Sequence, residues 1–299
     1  MSRKPYYEGV AFSPEDLLVM LERQGLQIND RDRALRVLYN VSYSRLKNYL
    51  IPLMSERKSH KFRPGASFED AYALYGFDRR LRELIFHEME KIEISIRTRV
   101  AYASNCSEKG YWFLNPAHFK SNSEHEKILR HIKMELQRSD NEGIKHFFSK
   151  YSNEYPPSWL TLEATSMGTL ARIYEELSDE KLRERIAAFY KMTPHTFISW
   201  VRHLVELRND CAHHNRVWDS VPTCKAALPY GLFEPFPKMK EEDRNRVYFS
   251  LCIIKYFADR IKPGNSFSTR LKMLVGNFSM VDPACMGFPR NWQEEPYWK

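Results

Sequence analysis

The chain has 299 residues, 43% of them hydrophobic, and a mean hydropathy of −0.57. That is enough apolar material for one large or two modest domains with a buried core, and it excludes general disorder. A formal net charge of +8 and a pI near 9.1 favour a polyanionic partner such as nucleic acid, although no block of Lys and Arg reaches the density of a basic tail.

At the N-terminus, MSRKPYYEGVAFSPEDL carries no apolar segment behind its basic residues. No later stretch approaches the roughly 18 uncharged apolar residues that span a bilayer, so a cytoplasmic protein without membrane contact is expected. The five cysteines (Cys106, Cys211, Cys224, Cys252 and Cys285) are scattered and never form a CxxC pair. Reduced thiols are therefore expected, not a disulfide framework or a zinc knuckle.

Several segments carry apolar residues at helical spacing and none sustains the alternation of a half-buried strand, which predicts an all-α fold. From Arg33 to Met54, RALRVLYNVSYSRLKNYLIPLM places Leu35, Leu38, Val41, Leu46, Tyr49 and Leu50 on an apolar face, with Pro52 interrupting its end. This reads as one or two short helices. Glu69 to Ala103 is the most helical stretch, with Leu81, Ile85, Met89, Ile92, Ile96 and Val100 in one stripe that should form the spine of a bundle. Gly110 and Pro116 mark a turn region between Asn105 and Glu124, before a helix around His125 to Arg138. A second break falls at Tyr155-Pro156-Pro157. Further helices are expected at Thr161 to Leu177, Asp179 to Lys191, Thr193 to His214 and Glu241 to Ile261, with Thr193 as an N-cap and Pro194 in the first turn. Beyond Lys262 the tail mixes one short helical stretch with Pro, Gly and aromatics. The expected organisation is an N-terminal helical region at 1–68, a helical bundle at 69–262 and a C-terminal segment at 263–299 packed on the bundle.

The segment LRNDCAHHNRVW, Leu207 to Trp218, concentrates the reactive side chains. If Phe197 to Arg216 is one helix, Trp200, Leu204, Leu207 and Cys211 share a narrow core stripe. Asn209, His213 and Arg216 then lie together on the opposite side, with Arg202 and Glu206 beside them and Arg208 on the flank. His214 falls nearer the core stripe, which gives it a packing or orienting role and not the chemical one. An imidazole transfers protons near neutral pH, and a guanidinium grips phosphate and stabilises developing charge. RNA supplies both reactants: its 2′-hydroxyl attacks the adjacent phosphorus when a base removes its proton and an acid protonates the leaving 5′-oxygen, giving a 2′,3′-cyclic phosphate. One such histidine per chain is an awkward count for a base and an acid, and an isologous homodimer that brings two copies around one cleft resolves it. Spacing alone does not single out this segment, because Arg82 and His87 repeat it on the spine helix. Cys211, His213 and His214 make a poor zinc set, since Cys211 falls on the core stripe and no second ligand pair has suitable spacing. Neither a metal nor another cofactor is expected. In the tail, Trp292, Tyr297 and Trp298 either pin the chain to its own domain or stack on bases.

At these residues the sequence resembles the abortive infection (Abi) proteins of the AbiD/AbiF type, anti-phage proteins of the HEPN superfamily of helical ribonucleases and RNA-binding domains. LRNDCAHHNRVW is similar to the family's RN-x-x-AH-x-R-x-W signature, which contains the HEPN Arg-x(4 to 6)-His motif. VSYSRLKNYLIPL resembles its G-Y-x-R-L-x-x-Y element, with Val41-Ser42 where a glycine is common. EKIEISIRTRVAYA resembles the first core helix, SMGTLARIYEEL the glycine-containing middle helix and MGFPRNW the C-terminal signature. The resemblance implies an all-α, HEPN-like helical bundle with an N-terminal helical extension and a wrapping C-terminal tail. It also implies a dimeric, metal-independent endoribonuclease of phage defence. Arg208 and His213 match the motif positions, and Asn209 is the polar residue after the Arg. Glu93 and Arg97 are implied to support the cleft, the plain alternative being an i, i+4 ion pair on a solvated face; His214 and Arg216 complete the supporting set. Such a toxin needs restraint in a healthy cell, which implies a bound inhibitor, an RNA or a protein. The alternative from another class is a non-catalytic RNA-binding or scaffold module.

Overall fold

The computed structural model describes residues 9, 11–56, 58, 60–104, 110–229, 236–238 and 240–299. Cys106, the start of the expected turn region at Asn105 and most of the basic N-terminal segment lie outside the described residues. Twelve α-helices and one two-stranded hairpin make up the regular structure among the described residues, so the fold is all-α. No described helix is long and apolar enough to cross a membrane. By internal contacts the chain divides into a unit of residues 1–80 with 276–281 and a unit of residues 81–275 with 282–299.

In the first unit, α1 (Pro14–Arg23) opens with a reciprocal capping box between Ser13 and Asp16 and has Pro14 at its first position. α2 (Arg31–Val41) is capped by Asp30, and α3 (Tyr43–Leu50) follows after the single residue Ser42. Ser42 sits at φ +65, ψ 147, a conformation that glycine adopts without strain and serine does not. It belongs to the pair Val41-Ser42 that stands where a glycine is common in the element this segment resembles. β1 (Met54–Glu56) and β2 (Lys61–Phe62) then form the small antiparallel hairpin, too short to leave a period-2 pattern in the sequence. α4 (Phe68–Ser104) begins in this unit, where the hydroxyl of Tyr49 donates to fully buried Asp78 at 2.5 Å and Phe77 meets Phe278 edge-on.

The second unit holds the remainder of α4, whose Leu81, Ile85, Met89, Ile92, Ile96 and Val100 are all buried. α5 (Asn122–Arg138) and α6 (Glu142–Lys150) lead to α7 (Ser158–Ala164) and α8 (Met167–Glu176). The single helix expected over Thr161 to Leu177 is thus two, because Ser166 turns its hydroxyl back to cap the amide of Thr169 and starts a new helix. α9 (Glu180–Phe189) is capped by Asp179 and α10 (Pro194–Ala212) by Thr193. α11 (Val247–Ile261) is buried at every position from Val247 to Ala258, as a helix enclosed by neighbours must be. α10 packs against α8, α9 and α11, and α5 against α7 and α8. α12 (Phe267–Gly276) precedes the tail, in which Trp292 and Trp298 are buried and the indole of Trp298 donates to the hydroxyl of Tyr248 at 2.9 Å. These two indoles pin the tail and have no face left for a base. Gly287, in the MGFPRNW signature, stands at φ +87, and a Cβ there would lie 2.6 Å from the Cβ of Arg246. Both backbone conformation and close approach therefore require glycine.

Candidate functional site

α10 delivers the reactive segment. Trp200, Leu204, Leu207 and Cys211 are all buried, so the core stripe fixes which way Arg208 and Asn209 point. The helix ends at Ala212, earlier than the reading to Arg216. His213 occupies the C-cap, its amide donating to the carbonyl of Asn209 at 2.9 Å, and His214 follows at φ +57. The helix ends because His214 takes up a left-handed backbone, which breaks the helical run just after the C-cap. Because the backbone reverses there, His214 is exposed instead of facing the core, and half-buried Arg216 lies off the helical face it was expected to share with Asn209 and His213.

The turn that carries the histidines is tied down on both sides. Asn215 returns to Asp210 twice, through its amide to the carbonyl at 2.8 Å and through its side-chain nitrogen to the carboxylate at 2.9 Å. Arg82 of α4, 5% exposed, donates to the carbonyl of Asn215 at 3.1 Å. Val217 and Trp218, at the end of the signature, are buried and anchor the exit. His213 is exposed on this fixed turn, and its ring makes no hydrogen bond or ion pair among the described residues.

A carboxylate from α4 faces the same end of α10. Glu93 accepts from the Arg97 guanidinium at 2.8 Å and lies 3.9 Å from Nε of Arg208. Arg97 is 8% exposed and also donates to the carbonyl of Thr165 at 2.9 Å, in the break between α7 and α8. Glu93 and Arg97 are therefore more than a solvated surface pair, which would contribute at most about 1 kcal/mol. A buried guanidinium needs its partners, and Glu93 supplies one while leaving its second oxygen toward Arg208. Arg208 in turn lies with Nη1 at 3.5 Å from Oδ1 of Asn209 and its guanidinium carbon 5.7 Å from the Phe86 ring.

The structure thus brings Arg208, Asn209, Glu93 and Arg97 together beside the exposed His213. It does not bring in two residues placed near them by helical projection. Glu206 accepts from the amides of Thr223 and Cys224 at 2.7 and 2.5 Å, and Arg202 pairs with Glu175. Arg82, which repeats the arginine-to-histidine spacing on α4, turns out to brace the turn, and Phe86 joins the cluster from the same helix. Neither had a signal beyond a polar or aromatic residue on a long helix. Of the other histidines, His203 is buried between the carbonyl of Cys224, 2.6 Å from Nδ1, and the hydroxyl of Ser250, 2.8 Å from Nε2. Burial pushes its pKa below the ordinary imidazole value, against the opposing effects of the Cys224 carbonyl and Glu206. His125 is buried likewise, with Nε2 2.9 Å from the carbonyl of Phe113. Among the described residues no group of three or more His, Cys, Asp or Glu is gathered as metal ligands would be.

The chain matches the family described as Abi-like protein over residues 36–219, more than half its length, from α2 through the histidine turn and its Trp218 anchor. No curated protein and no solved structure matches it. On the extent of the family match, the chain belongs to the Abi-like protein family.

Proposed function

We propose that the chain is an endoribonuclease of the AbiD/AbiF type within the HEPN superfamily, cutting RNA without a metal during abortive infection, the role that membership of the Abi-like family suggests. The observation that carries the reading is the placement of Arg208, Asn209 and an unengaged, exposed His213 at one end of α10, against the Glu93–Arg97 pair of α4. In this reaction His213 removes the proton of a 2′-hydroxyl, or returns one to the leaving 5′-oxygen. The 2′-oxygen bonds to phosphorus as the bond to O5′ breaks, leaving a 2′,3′-cyclic phosphate and a 5′-hydroxyl. Arg208 holds the scissile phosphate and offsets the charge that builds on it, and Asn209 positions the nucleotide. Glu93, fixed by Arg97, orients Arg208, with His214 and Arg216 at the margin of the cleft. Two chains related by a two-fold axis supply one His213 each, as base and as acid. A cytoplasmic enzyme of this kind would be held in check by a bound RNA or protein.

The test is to incubate purified protein and its His213→Ala variant with total RNA in EDTA and to map the new termini. The wild type is expected to leave cyclic-phosphate ends that EDTA does not prevent. The variant should lose roughly 10²-fold or more in rate, the contribution of a positioned proton-transfer group, while keeping its RNA affinity. A variant that cuts as fast as the wild type, or a wild type that binds RNA and produces no cyclic ends, overturns the reading in favour of an RNA-binding module. Light scattering on the same samples should give the mass of a dimer.

A further inference from the structure

Phe86 is a large hydrophobic side chain exposed at 42% of its surface, with its ring 5.7 Å from the guanidinium carbon of Arg208. Along α4 it shares a stripe with Glu90, Glu93 and Arg97, at i, i+4, i+7 and i+11, so Glu90 stands between the ring and the carboxylate that faces Arg208. Glu90 is exposed and makes no hydrogen bond or ion pair among the described residues. The exposed residues of α4 nearest to Phe86 are Glu83, His87 and Glu90. A ring whose nearest exposed neighbours on its helix are polar is not the apolar core that a protein partner buries. It is a flat surface with a cation within reach, and a nucleotide combines a stackable base with an anionic phosphate.

We infer that Phe86 and Glu90 form a nucleobase subsite next to Arg208. One nucleotide places its phosphate on Arg208 and stacks its base on Phe86, while the Glu90 carboxylate accepts from an amino group on the edge of that base. Cytosine, adenine and guanine carry such a group, whereas uracil offers only its N3–H, flanked by two carbonyl oxygens that repel a carboxylate, so the subsite disfavours uridine. The inference rests on RNA being the substrate, and its test is built so that cleavage and binding are read apart.

The measurement is the affinity of a short labelled oligoribonucleotide for the full chain in the His213→Ala background, which removes cutting from the readout. Adding Phe86→Ala should weaken binding roughly 5- to 150-fold, the equivalent of the ~1–3 kcal/mol of one stacked base. Phe86→Tyr should restore it, and Phe86→Leu, apolar but without a π-face, should not. Replacing the stacked nucleotide by an abasic one should weaken binding to the His213→Ala protein and cost nothing further once Phe86 is alanine. Glu90→Gln should erase the discrimination against uridine at that position. The subsite is refuted if Phe86→Leu binds like the parent, if the abasic substitution costs both proteins equally, or if Phe86→Ala shifts the oligomeric mass, which would make the ring a protein contact. RNA binding that depends on Phe86 in a chain that never cuts keeps the subsite and removes the ribonuclease. Histidine-dependent cutting indifferent to Phe86 does the reverse, and an absence of RNA binding removes both.

Discussion

The Glu93 carboxylate serves two guanidinium groups at once, Arg97 at 2.8 Å and Arg208 at 3.9 Å. Glu93→Gln keeps an oxygen for Arg97 and withdraws the charge that faces Arg208. On the ribonuclease reading, kcat should fall roughly tenfold through lost orientation of Arg208, while KM stays level or drops because a negative charge has left a phosphate site. Steady-state kinetics on an oligoribonucleotide checks this, and a lower melting temperature with kcat intact would reduce the pair to scaffolding. At this scale the residue types of the site were legible and their partners were not. Arg82 with His87 and Arg208 with His213 have the same spacing, yet the first arginine is buried against the carbonyl of Asn215 and the second is half exposed beside Asn209. Only the third dimension separates them, since Asn215 is 133 positions from Arg82 in the chain.

Helices are legible where their apolar stripe is long, and their ends are legible where a capping side chain stands in the sequence. α4 follows its stripe, and α9 and α10 begin after Asp179 and Thr193, as the cap rules require. α1 and α6 escape the periodicity reading because each buries little, Leu18 and Leu21 in the first and Ile144 in the second, too few to draw a stripe. Their caps, Ser13 and Asn141, are the better signal. The end of α10 is set by the left-handed backbone at His214, which no periodicity announces. The junction of α2 and α3 shows the same effect at Ser42, held at φ +65. Its hydroxyl reaches the amide of Arg45 only at 3.5 Å, a weak cap. Ser42→Gly should therefore stabilise the chain by about 1 kcal/mol, because relief of the strained backbone outweighs the few tenths lost with the cap. A thermal melt should show a rise; a fall would mean that the strain is absorbed elsewhere.

Across the whole molecule, the apolar content and helical spacing carried the fold class. The division between Arg80 and Leu81 left no trace, because it falls inside an uninterrupted α4. The enclosed α11 makes a polar contact with a direct bearing on pH, through Ser250 and His203. Nδ1 of His203 must carry the proton donated to the Cys224 carbonyl, so the neutral ring satisfies both partners. Burial lowers its pKa in the folded chain, whereas the unfolded chain titrates near the ordinary value of about 6.5. Below that pH the unfolded state takes up a proton that the folded state resists, so this stability contribution is complete above about 6.5 and is lost as pH falls. His203→Gln should melt well below the wild type at pH 8, with the gap narrowing toward pH 5. A gap that stays constant across that series would show that His203 is not the group responsible.

Because α10 stops at Ala212, His213 is the last residue that the helix still aims, its amide held to the carbonyl of Asn209 at 2.9 Å. The four residues between Arg208 and His213 all lie within α10, so one residue inserted among them would swing the imidazole by about 100° about the helix axis, away from the arginine. One inserted after His213 would leave the bearing of both unchanged.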